Sequence, residues 1–165
     1  VQLSIGDALA IATMKYRKFD KLDFKKFHPS GSLGVKLKTV EDLMITGNKI
    51  PFVGENILMK NALKIITKKN LGVLIVRNKK RVTKGIITDG DIKRASEKND
   101  NIKHLTTKKI MKSNPFSVER NMLAVKALSI MNSNKITCLC VHNEKNKKKT
   151  IGVVHVHNIL KANIQ

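Results

Sequence analysis

The chain has 165 residues, which is enough for a substantial core in one domain or in two small ones. It shows no secretory signal and no apolar run long enough to span a bilayer. Its net charge of +21 is typical of a nucleic-acid-binding protein, but 28 of its 33 basic residues are lysines and it has one tyrosine and no tryptophan. Because base readers favour arginine and stacking aromatic rings, we do not expect specific nucleic-acid binding. The two cysteines lie too close together on one strand for a disulfide framework, so we predict a cytoplasmic protein.

The first 38 residues do not belong to the repeat described below. Ser4-Ile-Gly-Asp7 has the pattern of a capping box, and apolar residues at helical spacing predict a helix from about Gly6 to Arg17. The chain begins at Val1 without an initiator methionine, and we expect it to be part of something longer.

Residues 27–34, Phe-His-Pro-Ser-Gly-Ser-Leu-Gly, are predicted to form a loop, because a proline and two glycines interrupt them. The segment has no apolar periodicity of its own. It therefore needs a partner surface to hold its shape.

A β-α-β-β-α unit follows, preceded by a short helical turn. Its predicted elements are the turn Val40–Met44, an edge strand at Ile50–Val53, a helix from Leu58 to near Asn70, a buried strand at Leu71–Val76, a partner strand at Val82–Thr88 and a helix from Ile92 to about Lys98. The helices follow from a 3.6-residue apolar period, and the central strand from a continuous apolar run.

The same outline occurs a second time. Gly85 and Gly152 are separated by 67 residues, as are Met44 and Met111, while the central strands are separated by 65. The predicted elements of the second copy are strands at Phe116–Val118, Ile136–Val141 and Thr150–His155 and helices at Leu123–Asn132 and from Val156 or His157 to about Ala162. Length differences confined to a hairpin are typical of an internal duplication.

The stretch from Gly85 to Arg94 holds the motif of most interest. Thr88 and Asp91 form a Ser/Thr-x-x-Asp pattern directly after an apolar strand. This pattern caps a helix, and the same strand end is also a natural seat for a phosphate, with a carboxylate able to accept from ribose hydroxyls. In the second copy His155 replaces the threonine and Asn158 replaces the aspartate. An amide has no charge, so we expect one competent nucleotide site and one weak or altered site.

Two such units, with a strand ending in Gly-h-h-Thr-x-x-Asp (h, apolar), resemble a pair of cystathionine-β-synthase-type (CBS) domains over residues 39–165. The resemblance implies two sheets packed about a pseudo-two-fold axis, with nucleotides bound in clefts between the copies. We expect the strands at 71–76 and 136–141 to wall the pocket for the base.

The front segment is similar to a junction in bacterial arabinose-5-phosphate isomerases, which carry a sugar-isomerase (SIS) domain followed by a CBS pair. The motifs that match, in order, are Gly6-Asp-Ala-Leu-Ala10, the segment 27–34 and Val40-Glu-Asp-Leu-Met44. The implied fold is a mixed α/β (α+β) one, with the end of an SIS domain at residues 1–38, one CBS domain at 39–98 and a second at 106–165. Ser30 departs from the family, which has glycine there.

The resemblance implies a regulatory, nucleotide-sensing part of an isomerase that interconverts ribulose 5-phosphate and arabinose 5-phosphate for Kdo and lipopolysaccharide synthesis. His28 matches the active-site histidine of the family and would act as a general acid or base. The remaining catalytic groups would lie upstream, so we expect this segment to be inactive alone. No cofactor is required. An adenine nucleotide or a cytidine-activated sugar would be the regulatory ligand, and a homo-oligomer, a CBS dimer or a tetramer of the whole enzyme, would be the assembly.

Two other functions compete with this one. The first is a free-standing CBS module that binds a nucleotide and regulates a partner protein, and the second is a basic nucleic-acid-binding protein. A zinc site at Cys138, Cys140 and His142, with His155 and His157 nearby, is disfavoured because alternate residues of one strand are not a usual ligand set. We therefore expect no metal and no membrane partner.

Overall fold

The structure is a computed structural model that describes residues 2–20, 23–24, 27 and 31–164, with the backbone alone at 31–33. Its helices are α1 Gln2–Tyr16, α2 Gly31–Lys36, α3 Val40–Leu43, α4 Met59–Lys69, α5 Asp89–Lys98, α6 Thr107–Ile110, α7 Ala124–Ser133 and α8 Val156–Lys161. Its strands are β1 Ile45–Thr46, β2 Phe52–Gly54, β3 Val73–Arg77, β4 Thr83–Thr88, β5 Lys112–Ser113, β6 Ser117–Glu119, β7 Cys138–Asn143 and β8 Asn146–His155. Short 3-10 helices lie at Gly47–Lys49 and Ile102–His104.

The strands form two four-stranded sheets, in the orders β2-β3-β4-β5 and β1-β8-β7-β6. In each sheet a short strand runs parallel to the central strand, β2 to β3 and β6 to β7, and the following strand returns antiparallel. The predicted β-α-β-β-α duplication is therefore confirmed. The first four residues of β3 are all buried, as their continuous apolar sequence predicted.

The repeats exchange their outermost strands. In the first sheet β5 pairs with β4, with Lys112 opposite Ile86, although β5 lies at the start of the second repeat. In the second sheet β1 pairs with β8, with Ile45 opposite Val153. The turn α3 follows the same exchange, since Val40 is fully buried in the core of the second repeat. Strands β1 and β5 have two residues each. They are too short to show an apolar/polar alternation, so the sequence alone did not predict them.

The two sheets pack face to face. The interface between them is an apolar cluster of buried side chains made by Ile50, Val73, Ile75, Cys138, Cys140 and Val153. Each sheet also packs on its other face against the helices of its repeat. Burial raises the pKa of both thiols, that of Cys140 to about 11 despite a hydrogen bond from Thr150, so the cysteines stay neutral and fill the core.

The front segment differs from prediction in two respects. Helix α1 begins at Gln2, so Ser4 lies inside the helix and does not cap it. Residues 31–34, the last part of the predicted loop 27–34, belong to the helix Gly31–Lys36, because Val35 packs against the core of the second repeat and this contact outweighs the poor helix propensity of glycine. No residue of α1 is buried, and no helix in the described part of the chain is long and apolar enough to cross a membrane.

Candidate functional site

A cleft of about 730 Å³ opens between the repeats where β4 ends and β7 begins. Its wall combines the start of α5, the β5 segment and the residues that precede β7, and includes Thr88, Asp91, Arg94, Lys112, Thr137 and His155. Leu71, Ile136 and Cys138 add an apolar side. Residues at or just before the starts of both central strands, β3 and β7, therefore line this cleft.

Thr88 and Asp91 form the predicted capping box at the start of α5. The carboxylate oxygen Oδ2 of Asp91 accepts hydrogen bonds from the Thr88 backbone N–H at 2.9 Å and from the Thr88 hydroxyl at 2.6 Å. The Asp91 N–H donates in return to the Thr88 hydroxyl at 3.3 Å. The pair thus satisfies orphan donors of the first turn and places a negative charge at the positive end of the helix dipole.

The second carboxylate oxygen of Asp91 faces two cations. Oδ1 lies 2.6 Å from the Arg94 guanidinium and 3.1 Å from the Lys112 ammonium. Burial by itself raises the pKa of Asp91, which is only 6% exposed, but the Thr88 hydrogen bonds and the two cations outweigh it and lower the pKa to about 2. Asp91 is therefore charged at neutral pH and is flanked by two positively charged side chains.

Sequence reasoning did not find either cation. Arg94 carries a usable signal, because it lies three residues after Asp91 on the same helix and so shares its face. Lys112 carries none, since it reaches Asp91 only through the exchange of β5 into the first sheet. Both side chains are more than half exposed, so they are free to move toward an anion in the cleft.

A second, smaller cleft of about 540 Å³ lies at the equivalent end of the other repeat. Asn158 lines it together with Gly72, Asp89 and Lys161, while His155 and His157 line both clefts. The structure thus brings Thr88 and Asp91 together in one cleft, places Asn158 in the other and sets the histidines between them.

His155 takes over the capping role that Thr88 has in the first repeat. Its Nδ1 accepts from the His157 N–H at 3.3 Å, and the two imidazole rings stack with centroids 4.9 Å apart. Burial lowers the pKa of His155, and the neighbouring His157 lowers it further. A stacked pair of imidazole rings therefore stands where the first repeat has a hydroxyl.

The predicted catalytic residue His28 lies outside the described residues. Among those that are described, no group of three or more His, Cys, Asp or Glu side chains is placed to hold a metal ion. His142 continues the strand face of the buried cysteines and is itself buried.

The fold and these clefts define a pair of CBS domains. The model of the CBS domain family matches residues 40–98 and 108–164, and the chain belongs to that family. It is 37% identical over 163 residues to the arabinose 5-phosphate isomerase KdsD of Escherichia coli K12, an alignment that covers 98% of this chain and 49% of the relative. The chain therefore spans about half the length of the curated relative it matches.

Solved structures share the fold. CBSX2 in complex with AMP superimposes with a TM-score of 0.65 at 20% identity, covering 77% of this chain and 96% of that one. The CBS domain pair of protein MJ0100, in complex with 5′-methylthioadenosine and S-adenosyl-L-methionine, gives a TM-score of 0.66 at 23% identity, covering 76% and 94%.

Proposed function

We propose that this chain is the nucleotide-sensing CBS pair of an arabinose-5-phosphate isomerase and that the nucleotide binds in the cleft of Thr88 and Asp91. The observation that carries the proposal is the buried carboxylate of Asp91, held at the start of a helix beside two exposed cations in a 730 Å³ cleft. A cleft of this volume is in the range of about 300–1,000 Å³ typical of small-molecule sites. The AMP and adenosine-derived ligands named for the two structural neighbours support a nucleotide as the ligand class.

Each group of residues would contact a different part of the nucleotide. Asp91 Oδ1 would accept from ribose hydroxyls once Arg94 and Lys112 turn away from it toward the phosphates, which exchanges one charge-assisted interaction for another. Thr88 keeps Oδ2 in place through its two hydrogen bonds. The apolar wall at Leu71 and Ile136 is the surface for the base.

The second cleft is proposed to bind weakly or to take a different ligand. Asn158 offers one carbonyl acceptor and no charge, and the imidazoles of His155 and His157 narrow the space between the clefts. A single competent site per chain follows from this difference.

Titration calorimetry tests the proposal. AMP, ATP, CMP and a cytidine-activated sugar are titrated into the chain at moderate salt, which suppresses the diffuse attraction of a protein of charge +21. We expect saturable binding of one of them near one site per chain, lost in Asp91→Ala and retained in Asn158→Ala. Because Asp91→Ala also removes one half of the capping box and the ion pairs to Arg94 and Lys112, its folding is checked by circular dichroism. Equal binding by both variants would show that the competent site is assigned to the wrong repeat.

The proposed catalytic half of the protein lies upstream. Helix α1 exposes large apolar side chains, with Leu3 at 83%, Leu9 at 68% and Tyr16 at 88%, and such a helix needs a covering surface. We propose that an SIS domain covers it and that His28 completes the active site there. Nucleotide binding would act on that site, in a dimer or tetramer of the enzyme, only through a difference in affinity between two conformations.

A free-standing CBS module that regulates a separate protein is the second candidate. The exposed apolar side chains of α1 are also compatible with this candidate, since a separate partner protein would cover the same helix. The two candidates differ in whether the longer protein containing this chain isomerises a sugar phosphate itself.

A further inference from the structure

A third cavity, of about 220 Å³, lies further along the same strands and adjoins the nucleotide cleft, with which it shares Asn114 and Pro115. It is lined by Thr83, Ser117, His142, Lys147, Lys148 and Thr150, among others. These residues belong to the start of β4, to β6 and to the β7–β8 hairpin. None of them was singled out for the nucleotide site, and Asp91 and Thr88 are not part of this cavity.

The two repeats differ at paired positions in this region. In the first repeat Phe52 on β2 lies under the Arg77 guanidinium, with 3.9 Å between that group and the ring centroid. The strand registers place Ser117 at the position of Phe52 and His142 at the position of Arg77. Phe52 and Arg77 line a cavity of about 360 Å³ of their own in the first repeat, so the cavity beside Ser117 and His142 has a lining that the first repeat does not reproduce.

The floor of the cavity lies on the pseudo-two-fold axis. Thr83 and Thr150 are equivalent residues of the two repeats, and their hydroxyl oxygens are 2.8 Å apart. The Thr150 N–H also donates to the Thr83 hydroxyl at 3.2 Å. Because the Thr150 hydroxyl also donates to the Cys140 thiol, both hydroxyl hydrogens are used within the protein, and the donors left for an anion are the Ser117 hydroxyl and the lysine ammonium groups.

The remaining wall is cationic and holds an unpaired polar atom. His142 is 6% exposed, and its Nδ1 has no hydrogen-bond partner among the described residues. Lys147 lies 4.0 Å from the Glu119 carboxylate, the limit of an ion pair, and is 72% exposed, so its ammonium group can turn inward. Lys148 adds a second ammonium group beside it.

We propose that this cavity is a binding site for inorganic phosphate, separate from the nucleotide cleft. The Ser117 hydroxyl, the His142 imidazole and two ammonium groups surround a space below the range of about 300–1,000 Å³ typical of small-molecule sites. Such a space is too small for a nucleotide and suits a compact oxyanion with several acceptor oxygens. An anion that enters gains charge-assisted hydrogen bonds from the exposed lysines beside the buried His142.

The test is an NMR titration of the chain with sodium phosphate at constant ionic strength, following the backbone amides of Ser117, His142 and Thr150. Ser117→Phe restores the residue of the first repeat and fills the cavity. The double variant Lys147→Ala, Lys148→Ala removes the cations without touching the core. Its matched control, Lys108→Ala with Lys109→Ala, removes the same charge from two exposed lysines of α6 that do not line this cavity.

We expect saturable shifts at these three amides in the parent chain, and an affinity at least about tenfold weaker in Ser117→Phe and in the Lys147/Lys148 variant, since a hydrogen bond to a charged group contributes about this factor. The Lys108/Lys109 variant and Asp91→Ala should keep the parent affinity. Equal weakening by the two lysine doubles would overturn the proposal in favour of diffuse charge attraction. Absence of saturable shifts in the parent chain would also overturn it. A tighter affinity in Asp91→Ala, which frees Arg94 and Lys112 from their carboxylate partner, would place the anion in the nucleotide cleft instead.

Discussion

The two carboxylate oxygens of Asp91 have different roles: one stabilises the fold, and the other is proposed to contact the ligand. Oδ2 accepts the hydrogen bonds of the Thr88 cap, and Oδ1 pairs with Arg94 and Lys112, whose side chains are exposed. The cap and the nucleotide seat are therefore not exclusive functions of the motif. The same arrangement makes the charge of Asp91 part of the stability of the fold.

A pH dependence follows from this charge. The pKa of Asp91 is lowered to about 2 in the folded chain, against about 3.9 for an unfolded aspartate. The stabilisation is therefore fully present above about pH 4 and is lost as the pH falls toward 2. We expect Asp91→Asn to lose about 1–2 kcal/mol of unfolding free energy at pH 6, discounted for the exposure of the two cations, and less at pH 2.5.

Urea denaturation of the parent chain and the variant across this pH range measures the difference. Asp7→Asn, which removes a carboxylate from the exposed surface of α1, is the charge-matched control. A difference between the parent and Asp91→Asn that stays constant with pH would contradict the assignment of the low pKa to Asp91.

At the scale of elements, the exchanged strands explain why glycine and methionine recur at the same spacing. A Cβ atom on Gly85 would come within 2.6 Å of the Lys112 carbonyl oxygen and 2.8 Å of the Met111 sulfur. A Cβ on Gly152 would come within 2.5 Å of the Met44 sulfur. Each methionine thus packs on the glycine of the other repeat, at the point where the exchanged strand joins the sheet.

We expect Gly85→Ala to destabilise the chain by about 1–3 kcal/mol, because the nearest atom is a backbone oxygen that cannot rotate away. Thermal and urea denaturation measure the loss. Gly6→Ala in α1 is the control, since a Cβ there meets nothing within 4 Å and alanine is the better helix former. Equal stability of Gly85→Ala and the parent would show that β5 is not held closely against β4.

At the scale of the whole molecule, the two repeats bury their sheets against each other, whereas helix α1 stays exposed. The sheets cover each other through a shared core and the helices cover their outer faces, yet α1 contributes no buried residue. The chain spans about half of the KdsD relative, and the proposed isomerase activity belongs to the part that would meet α1. The clefts and the catalytic chemistry would therefore communicate through this front segment.

The isomerase proposal predicts a difference between the chain and the longer protein that contains it. We expect the longer protein to convert ribulose 5-phosphate to arabinose 5-phosphate and residues 1–165 alone to be inactive, as measured by product formation. Loss of a general acid or base costs about 10²–10⁴-fold in rate, so His28→Ala should lose activity by that factor. The exposed histidine His104 provides the control in His104→Ala. An active longer protein with an unaffected His28→Ala variant would remove His28 from the mechanism, and an inactive longer protein would favour regulation in trans.

The sequence by itself determined the duplicated β-α-β-β-α arrangement and the capping box. The apolar period, the glycine spacing and the Thr-x-x-Asp pattern are local features that can be read without knowing the tertiary structure. It also placed His155 and Asn158 at positions equivalent to Thr88 and Asp91. Only the tertiary structure decided which residues surround Asp91, since Lys112 arrives through a strand of two residues exchanged between repeats. It likewise decided the proposed phosphate cavity, which brings Ser117 and His142 together with Thr83 and the β7–β8 hairpin. Such contacts join residues far apart in the chain, and no local period encodes them.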